Sequence, residues 1–260
     1  MNDEVGADID RTSVGPAPYR ILRKRLLAGA RGAEGIAVVI DVFRAFTSAA
    51  VMMHLGADKI VLLADSDAVL ERKAEKRCLA VGEIGGKMVP GFDLGNSPSH
   101  ILAAGRALFE GRTVAQRTSA GVTGAVAASR RSDVVILGSY VTASAVARYV
   151  QELAPPPAAV SLVAMGAGGE KLTPEDEACA DYIEHLLTGR PYDHVAALRR
   201  IVEQECTQKF LRGDREHFPP GDPIYCLQRD LFDFVAVAAL EGENLVARRI
   251  DIPEPEKEKT

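Results

Sequence analysis

Four times along this chain a short, continuous apolar run ends in a small or polar turn that leads into an alanine-rich segment of helical pattern. The first unit is Ile36 to Ile40, the turn Asp41 to Ser48, and a helical pattern to Leu55 closed by Gly56. The second is Thr113 to Ala115, the turn Gln116 to Gly124, then Ala125 to Ser129. The third runs from Val134 to Leu137 through Gly138 to Thr142 into Ala143 to Leu153. The fourth runs from Val160 to Ala164 through Met165 to Gly169 and on to a helix from Thr173 to Leu187. Strands that are apolar throughout, rather than in alternation, are buried on both faces, so helices must cover both. The pattern therefore predicts an α/β protein with a largely parallel sheet. In such sheets ligands sit at the carboxyl ends of the strands, where all four turns fall, so the turns are expected to converge on one pocket. Thr173 is placed to cap the last helix, with Pro174 in its first turn and Gly189 to end it.

A glycine-rich loop is read at Gly82-Glu83-Ile84-Gly85-Gly86-Lys87-Met88-Val89-Pro90-Gly91-Phe92-Asp93-Leu94-Gly95-Asn96-Ser97-Pro98. Its five glycines let the backbone take positive φ and approach a ligand closely, while Glu83, Asp93 and Asn96 supply oxygen ligands or hydrogen bonds. These three polar groups gain nothing from packing in so flexible a segment, and they read as parts of a site.

With 260 residues, 47% hydrophobic and 26% charged, the chain can bury a large core as one domain or two small ones. We take residues 19–252 as a single domain, with two subdomains as an open variant, between poorly ordered segments at 1–18 and 253–260. Pro155-Pro156-Pro157 reads as a stiff connector. A net charge of −5 gives no global field for nucleic acid or an anionic membrane, so an anionic ligand must be held by local cations or a metal. Cys78, Cys179, Cys206 and Cys226 form no CxxC pair, Met1 to Asp10 is acidic, and no apolar run approaches the ~20 residues that span a bilayer. The expectation is a cytoplasmic protein with reduced thiols and a small-molecule partner. The apolar stretch Asp230 to Leu240 is open between a homo-oligomer interface and a packed terminal helix or strand.

Asp41 closes an apolar strand and Arg44 follows three positions later, which puts a carboxylate and a guanidinium at a helix start. They suit a divalent cation and a phosphate; a helix cap paired with an arginine across the turn has the same spacing. Arg117-Thr118-Ser119-Ala120-Gly121 joins one cation and two hydroxyls on a flexible backbone, a set suited to an oxyanion or to an ordinary hydroxyl-rich turn. Glu175 and Asp176 open a helix, where they complement its dipole or bind a metal.

Several chemistries are excluded. There is no GxxxxGK[ST] loop, and Gly166-Ala167-Gly168-Gly169 is not a full dinucleotide fingerprint. Asp41-Val42-Phe43 lacks the second aspartate of haloacid-dehalogenase phosphatases. Cys206 to Arg212 has the bare Cys-x5-Arg spacing of thiol phosphatases, but Cys206 follows a helical pattern and the segment has no glycine to wrap a phosphate. His54, His100, His185, His194 and His217 show no zinc spacing, and an all-oxygen site favours Mg²⁺.

Ile40-Asp41-Val42-Phe43-Arg44-Ala45, Gly82-Glu83, Gly91-Phe92-Asp93-Leu94-Gly95-Asn96-Ser97-Pro98, Gly138-Ser139 with Ala143 to Ala147, and Glu175-Asp176 with Cys179-Ala180 together resemble the 2-phosphosulfolactate phosphatases. The resemblance runs in order over residues 36 to 250. It implies a three-layer α/β/α sandwich with a largely parallel or mixed sheet in the family's own topology. It also implies an Mg²⁺-dependent enzyme linked to coenzyme M biosynthesis, which hydrolyses a phosphate monoester of a small sulfonated or carboxylated acid. Two turns depart from the family pattern: Arg44-Ala45-Phe46-Thr47 stands for Arg-Ala-Thr-Thr, and Arg117-Thr118-Ser119-Ala120-Gly121 for Thr-Thr-Asn-Gly-Thr.

On this reading some of Asp41, Glu83, Asp93, Glu175 and Asp176 hold Mg²⁺. Arg44, Arg117, Thr118, Ser119, Asn96 and the backbone at Gly121 and Gly168 hold the phosphate and the second acid group, and Lys87 adds charge. Asp41, Arg44 and Glu83 form the catalytic set, a carboxylate either orienting water or attacking phosphorus. The alternatives are a binding protein for a small phosphorylated anion that has lost turnover, and a nucleotide-binding α/β domain.

Overall fold

The structure is a computed structural model that describes residues 19–76, 78–153 and 158–252. The two terminal segments and the triple-proline connector singled out in the sequence lie outside the described residues. Ten strands form one sheet: β1 (Tyr19–Arg25), β2 (Ile36–Ile40), β3 (Lys59–Leu62), β4 (Leu79–Ile84), β5 (Lys87–Met88), β6 (Thr113–Arg117), β7 (Val134–Gly138), β8 (Ala158–Ala164), β9 (Phe234–Glu241) and β10 (Asn244–Asp251). The helices among the described residues are α1 (Leu26–Arg31), α2 (Ala45–His54), α3 (Ser66–Lys76), α4 (Pro98–Ala104), α5 (Arg106–Phe109), α6 (Gly121–Ala128), α7 (Ala143–Leu153), α8 (Pro174–Thr188), α9 (His194–Val202), α10 (Glu205–Leu211) and α11 (Gly221–Cys226).

The strand order is β1-β8-β2-β7-β9-β10-β3-β6-β4-β5. Strands β1, β8, β2 and β7 are parallel to one another, and so are β3, β6 and β4. The hairpin β9–β10 lies between these two blocks, antiparallel to β7 on one side and to β3 on the other. The sheet is therefore mixed, and the apolar stretch at Asp230 to Leu240 supplies β9 to its centre rather than a terminal helix.

The three antiparallel steps from β7 to β3 reverse the second block within the sheet. Neighbouring strands also twist by about 20–25°, so the six steps from β2 to β4 turn the blocks by roughly 120–150° relative to each other. Reversal and twist nearly cancel, and the carboxyl ends of both blocks face the same region. Direct contacts bear this out: Gln116 of β6 donates through Nε2 to the carbonyl of Ala45 at the start of α2, at 3.1 Å.

Helix α2 is what the two blocks close upon. Every residue from Ala45 to Met53 is buried, so the segment has no polar face to show to water, as its sequence AFTSAAVMM requires. Its core cluster draws on Ala37 and Val39 of β2 and on Ile60, Leu79 and Val114 of β3, β4 and β6. Alternate residues of β2, Ile36, Val38 and Ile40, point the other way into a second cluster with α7 and α8, and Ala80 and Ala115 meet Val69 of α3 in a third. Both faces of the sheet are thus apolar and covered by helices, which is why its strands carry continuous apolar runs.

Three features differ from the sequence expectation. The glycine-rich stretch begins as a hairpin: Ile84 pairs with Lys87, and Gly85 and Gly86 between them have φ of 59° and 86°, the conformation that a two-residue type I′ turn requires. Strand β1 has little apolar character because it is an edge strand whose Arg20, Arg23, Lys24 and Arg25 can reach solvent. Thr173 occupies the cap position of α8 but makes no side-chain capping bond, while Pro174 and Gly189 stand at the two ends as expected.

Because α2 is enclosed on all sides, Met52→Ala is expected to destabilise the fold by about 2–5 kcal/mol in urea denaturation. Val195→Ala, at a residue 77% exposed, should change stability by less than about 0.5 kcal/mol.

Candidate active site

A cavity of about 370 Å³ opens where the turns after β2, β6 and β8 meet the hairpin tip of β4–β5. Asp41, Glu83, Asn96, Thr118 and Gly168 line it, with Arg44 and Lys209 as its cations. Three of the four turns converge there as the sequence predicted. The third, Gly138 to Thr142, contributes no lining residue; its Tyr140 is packed in the core instead.

Asp41 is held at the end of β2 by its own N–H, which donates to Gly138, and its Oδ1 accepts the N–H of Ala45 at 3.0 Å. It is thus both the helix cap and a wall of the cavity. Burial, opposed by the backbone N–H groups of Ala45 and Gly121 and reinforced by the charges of Glu83 and Glu175, pushes its carboxyl up to about 7. Gly121 is required by this packing. A Cβ there would lie 2.8 Å from both Asp41 Oδ2 and the Ala45 methyl, closer than such contacts occur.

Asp176, at the start of α8, ties two turns together: Oδ1 accepts the Val42 N–H at 2.8 Å and Oδ2 accepts the Gly166 N–H at 2.7 Å. Burial first, then the charges of Glu175 and Asp41, hold its carboxyl well above the ordinary range. Glu175 is raised by burial and accepts a bond from the Cys206 thiol at 3.2 Å. Glu83 anchors the hairpin by accepting the N–H groups of Gly86 and of Ser119, the latter at 2.7 Å. Asp93 lies apart from these four, pairing with Lys73 at 2.7 Å and accepting the Ala80 N–H at 2.8 Å. Among the described residues no three His, Cys, Asp or Glu side chains gather at one metal position.

The two arginines expected to grip phosphate are engaged elsewhere. Arg44 donates to Asp222 and to the carbonyl of His217, both at 2.8 Å, and to that of Gly86 at 3.1 Å. Its guanidinium also lies 5.3 and 5.5 Å from the ring centres of Phe210 and Phe218. Arg117 donates to the carbonyls of Ala64 and Glu83 and to Ser119 Oγ, and it does not line the cavity. Thr118 Oγ1 caps the first turn of α6 through Val122 N–H at 3.0 Å, and Asn96 Oδ1 accepts from Gln116 Nε2 at 3.4 Å. Gly168 has φ of 62° and nothing within 4 Å of a would-be Cβ, so its backbone is open to the cavity. Lys87 lines a neighbouring cavity with His100 and His217.

Two participants were not found from the sequence. Asp222 is fully buried and accepts from Ser97 Oγ, Ser99 N–H and Ser99 Oγ as well as from Arg44, which locks α11 to the start of α4. Lys209 reaches the cavity from α10, its ammonium 4.7 Å from the Phe218 ring centre, and burial lowers its pKa. Neither stands in a motif; the only signal was that Lys209 falls inside the discounted Cys-x5-Arg segment. That segment is helical, Arg212 pairs with Glu205, and burial pushes the Cys206 thiol up to about 12, opposite to a reactive thiolate.

The fold and site together define an α/β protein with a cavity walled by buried carboxylates and framed by glycine turns. The chain belongs to the 2-phosphosulfolactate phosphatase family: the family model described as 2-phosphosulpholactate phosphatase matches residues 22–240, which bears out the resemblance seen in the motifs. A probable 2-phosphosulfolactate phosphatase of Bacillus subtilis (strain 168) is 31% identical over 219 residues, 84% of this chain and 92% of that one. One from Carboxydothermus hydrogenoformans is 33% identical over 222 residues, 80% of this chain and 88% of that one. One from Thermus thermophilus is 41% identical over 119 residues, 46% of this chain and 48% of that one.

Gly121→Ala is expected to cost about 1–3 kcal/mol, through overpacking against Asp41 and Ala45, in thermal or urea denaturation. Asp41 carries a pH signature as well. Its folded pKa of about 7 lies above the ordinary 3.8, so folding favours the protonated form. That contribution is complete below about pH 4 and is lost as pH rises to about 7. Melting of the metal-free protein across this window should show a loss on the order of a few kcal/mol that Asp41→Asn, which cannot ionise, removes.

Proposed function

We propose that this protein is a phosphoric monoester hydrolase that converts 2-phosphosulfolactate to sulfolactate and orthophosphate. The observation that carries the reading is the buried Asp41 carboxyl on the wall of a glycine-framed cavity, in a chain of this family. Water oxygen bonds to phosphorus, the ester P–O bond breaks with its electron pair going to the sulfolactate oxygen, and a proton from water ends on that oxygen. Asp41 orients the attacking water and takes its proton, a task suited by a pKa near the working pH. Glu83 holds the hairpin over the substrate through Gly86 and Ser119. The backbone at Ser119, Gly121 and Gly168 supplies close approach to phosphoryl oxygens.

An Mg²⁺ ion is part of the proposal. The donor set fits it: Asp41 and Glu83 on the wall with Glu175 and Asp176 behind offer only oxygen, and Mg²⁺ takes one or two carboxylates and completes its shell with water and phosphate oxygens. Asp41 is raised in part by the charges of Glu83 and Glu175, and Asp176 by those of Glu175 and Asp41, a repulsion that a bound cation would relieve. When bound, the ion neutralises charge on the phosphoryl group in the transition state. Asp93, with its carboxylate on Lys73 and Ala80, is left out of this set.

No helix among the described residues is long and apolar enough to cross a membrane. The reading is of a cytoplasmic enzyme acting on a small phosphorylated acid, with the link to coenzyme M biosynthesis that the family resemblance implies.

The test is phosphate release from racemic 2-phosphosulfolactate, 2-phospholactate and phosphoglycolate, each with Mg²⁺ and with chelator. Release should be fastest from the sulfonate, should stop with chelator, and should fall at least about a hundredfold in kcat with Asp41→Asn. Release from the carboxylates alone overturns the substrate, release that survives chelation overturns the metal, and no release from any returns the chain to a binding protein without turnover.

A further inference from the structure

The cavity raises the question of which side chain holds the phosphoryl charge. Of its two cationic lining residues, Arg44 already donates to Asp222, His217 and Gly86 and lies beside the rings of Phe210 and Phe218. A guanidinium fixed by three protein acceptors cannot swing to a ligand without leaving Asp222, whose side chain is fully buried, unpaired. Arg117 donates to the carbonyls of Ala64 and Glu83 and does not itself line the cavity. Lys209 differs from both. Among the described residues its ammonium makes no hydrogen bond and no ion pair, and it stands over the faces of Phe210 and Phe218 at 5.2 and 4.7 Å from their centres. Those rings hold the ammonium at the cavity wall by cation–π contact, and its N–H donors have no protein acceptor among the described residues.

We propose that Lys209 is a catalytic residue of this hydrolase: its ammonium is the side-chain cation that contacts the phosphoryl oxygens. It keeps its protons and forms no bond to phosphorus. It donates hydrogen bonds that strengthen as charge gathers on those oxygens, in a site where water is partly excluded. Its companions have complementary tasks. Arg44 is a positioning residue that holds the hairpin at Gly86 and α11 through Asp222, so its loss acts through geometry. The inference rests on the phosphatase reading for its catalytic half and on the cavity alone for its binding half.

Wild type, Lys209→Ala, Lys209→Arg and the control Lys59→Ala, at the edge of β3 away from the cavity, are compared by two readouts. These are kcat and KM for 2-phosphosulfolactate and calorimetric binding of orthophosphate. Lys209→Ala should lower kcat/KM by about a hundredfold or more and weaken orthophosphate by about tenfold or more. Lys209→Arg should recover part of both, and the control should stay within about twofold of wild type. Should Lys209→Ala fail to fold by circular dichroism, Lys209→Met keeps the stem between the rings and gives the same two readouts. A Lys209 variant that folds and stays within threefold of wild type in both overturns the proposal, as does wild type that binds no orthophosphate. If wild type releases phosphate from no monoester, the phosphatase reading fails by itself, and loss or retention of orthophosphate binding in Lys209→Ala still decides the inference.

Discussion

The constraint on which this structure depends is that α2 has no face for water. Nine consecutive buried residues oblige the chain to surround one helix, and a flat sheet cannot do that. The antiparallel hairpin β9–β10 meets the requirement by reversing the second parallel block, and strand twist then swings that block back over the helix. The first turn of α2 lies where the carboxyl ends of both blocks meet. The cavity is a by-product of enclosing the helix: Asp41 reaches it as the helix cap, and Glu83 and Thr118 reach it from the opposite block.

Enclosure also decides the electrostatics. Asp41, Glu175 and Asp176 come from two separate helix starts that pack together, and each loses water on doing so. Backbone N–H groups, from the starts of α2 and α6 for Asp41 and from the turns at Val42 and Gly166 for Asp176, recover only part of that loss, so both are strained as anions and receptive to a cation or a proton. The cationic side is arranged differently. Arg44 neutralises the buried Asp222 and braces three segments at once, a task for which the planar fork of a guanidinium suits better than an ammonium. Lys209, whose ammonium stands over two aromatic faces without a protein acceptor among the described residues, is the cation proposed to engage a ligand.

The parallel units were legible because burial on both faces writes itself as continuous apolar runs, and β2, β7 and β8 stand where those runs lie. The glycine stretch stood out by Glu83 and Asn96, and both do line the cavity, though each also holds structure: Glu83 accepts two backbone N–H groups and Asn96 a bond from Gln116. What escaped had no local signature. β1 is polar because it is an edge, and Gly82 to Met88 reads as a loop because a type I′ hairpin uses the same glycines as an irregular turn. The involvement of Asp222 and Lys209 depends on α10 and α11 folding back over the cavity, which follows from Phe210 and Cys226 being buried and from no spacing in the sequence. The same limit explains the arginines: sequence shows that Arg44 and Arg117 stand at strand ends, but which acceptors take their donors is set by segments about 30 to 180 residues away.

The separation in sequence has a mechanical consequence. Asp41 is fixed within four residues by Ala45, so its position is local to the start of α2, whereas the lysine opposite it is placed only once α10 has docked. The docking contacts include Cys206 on Glu175, Phe210 and Phe218 against Arg44, Arg44 on Asp222, and Asp222 on Ser97 and Ser99. In this protein the anionic wall is built by the core of the sheet and the cationic wall by a polar, glycine- and proline-containing excursion that precedes β9. The region between Leu211 and Gly221 bears on the cavity through Phe218, which lines it and lies against both Arg44 and Lys209, so the path of this region helps set where the lysine proposed to meet phosphate stands relative to Asp41.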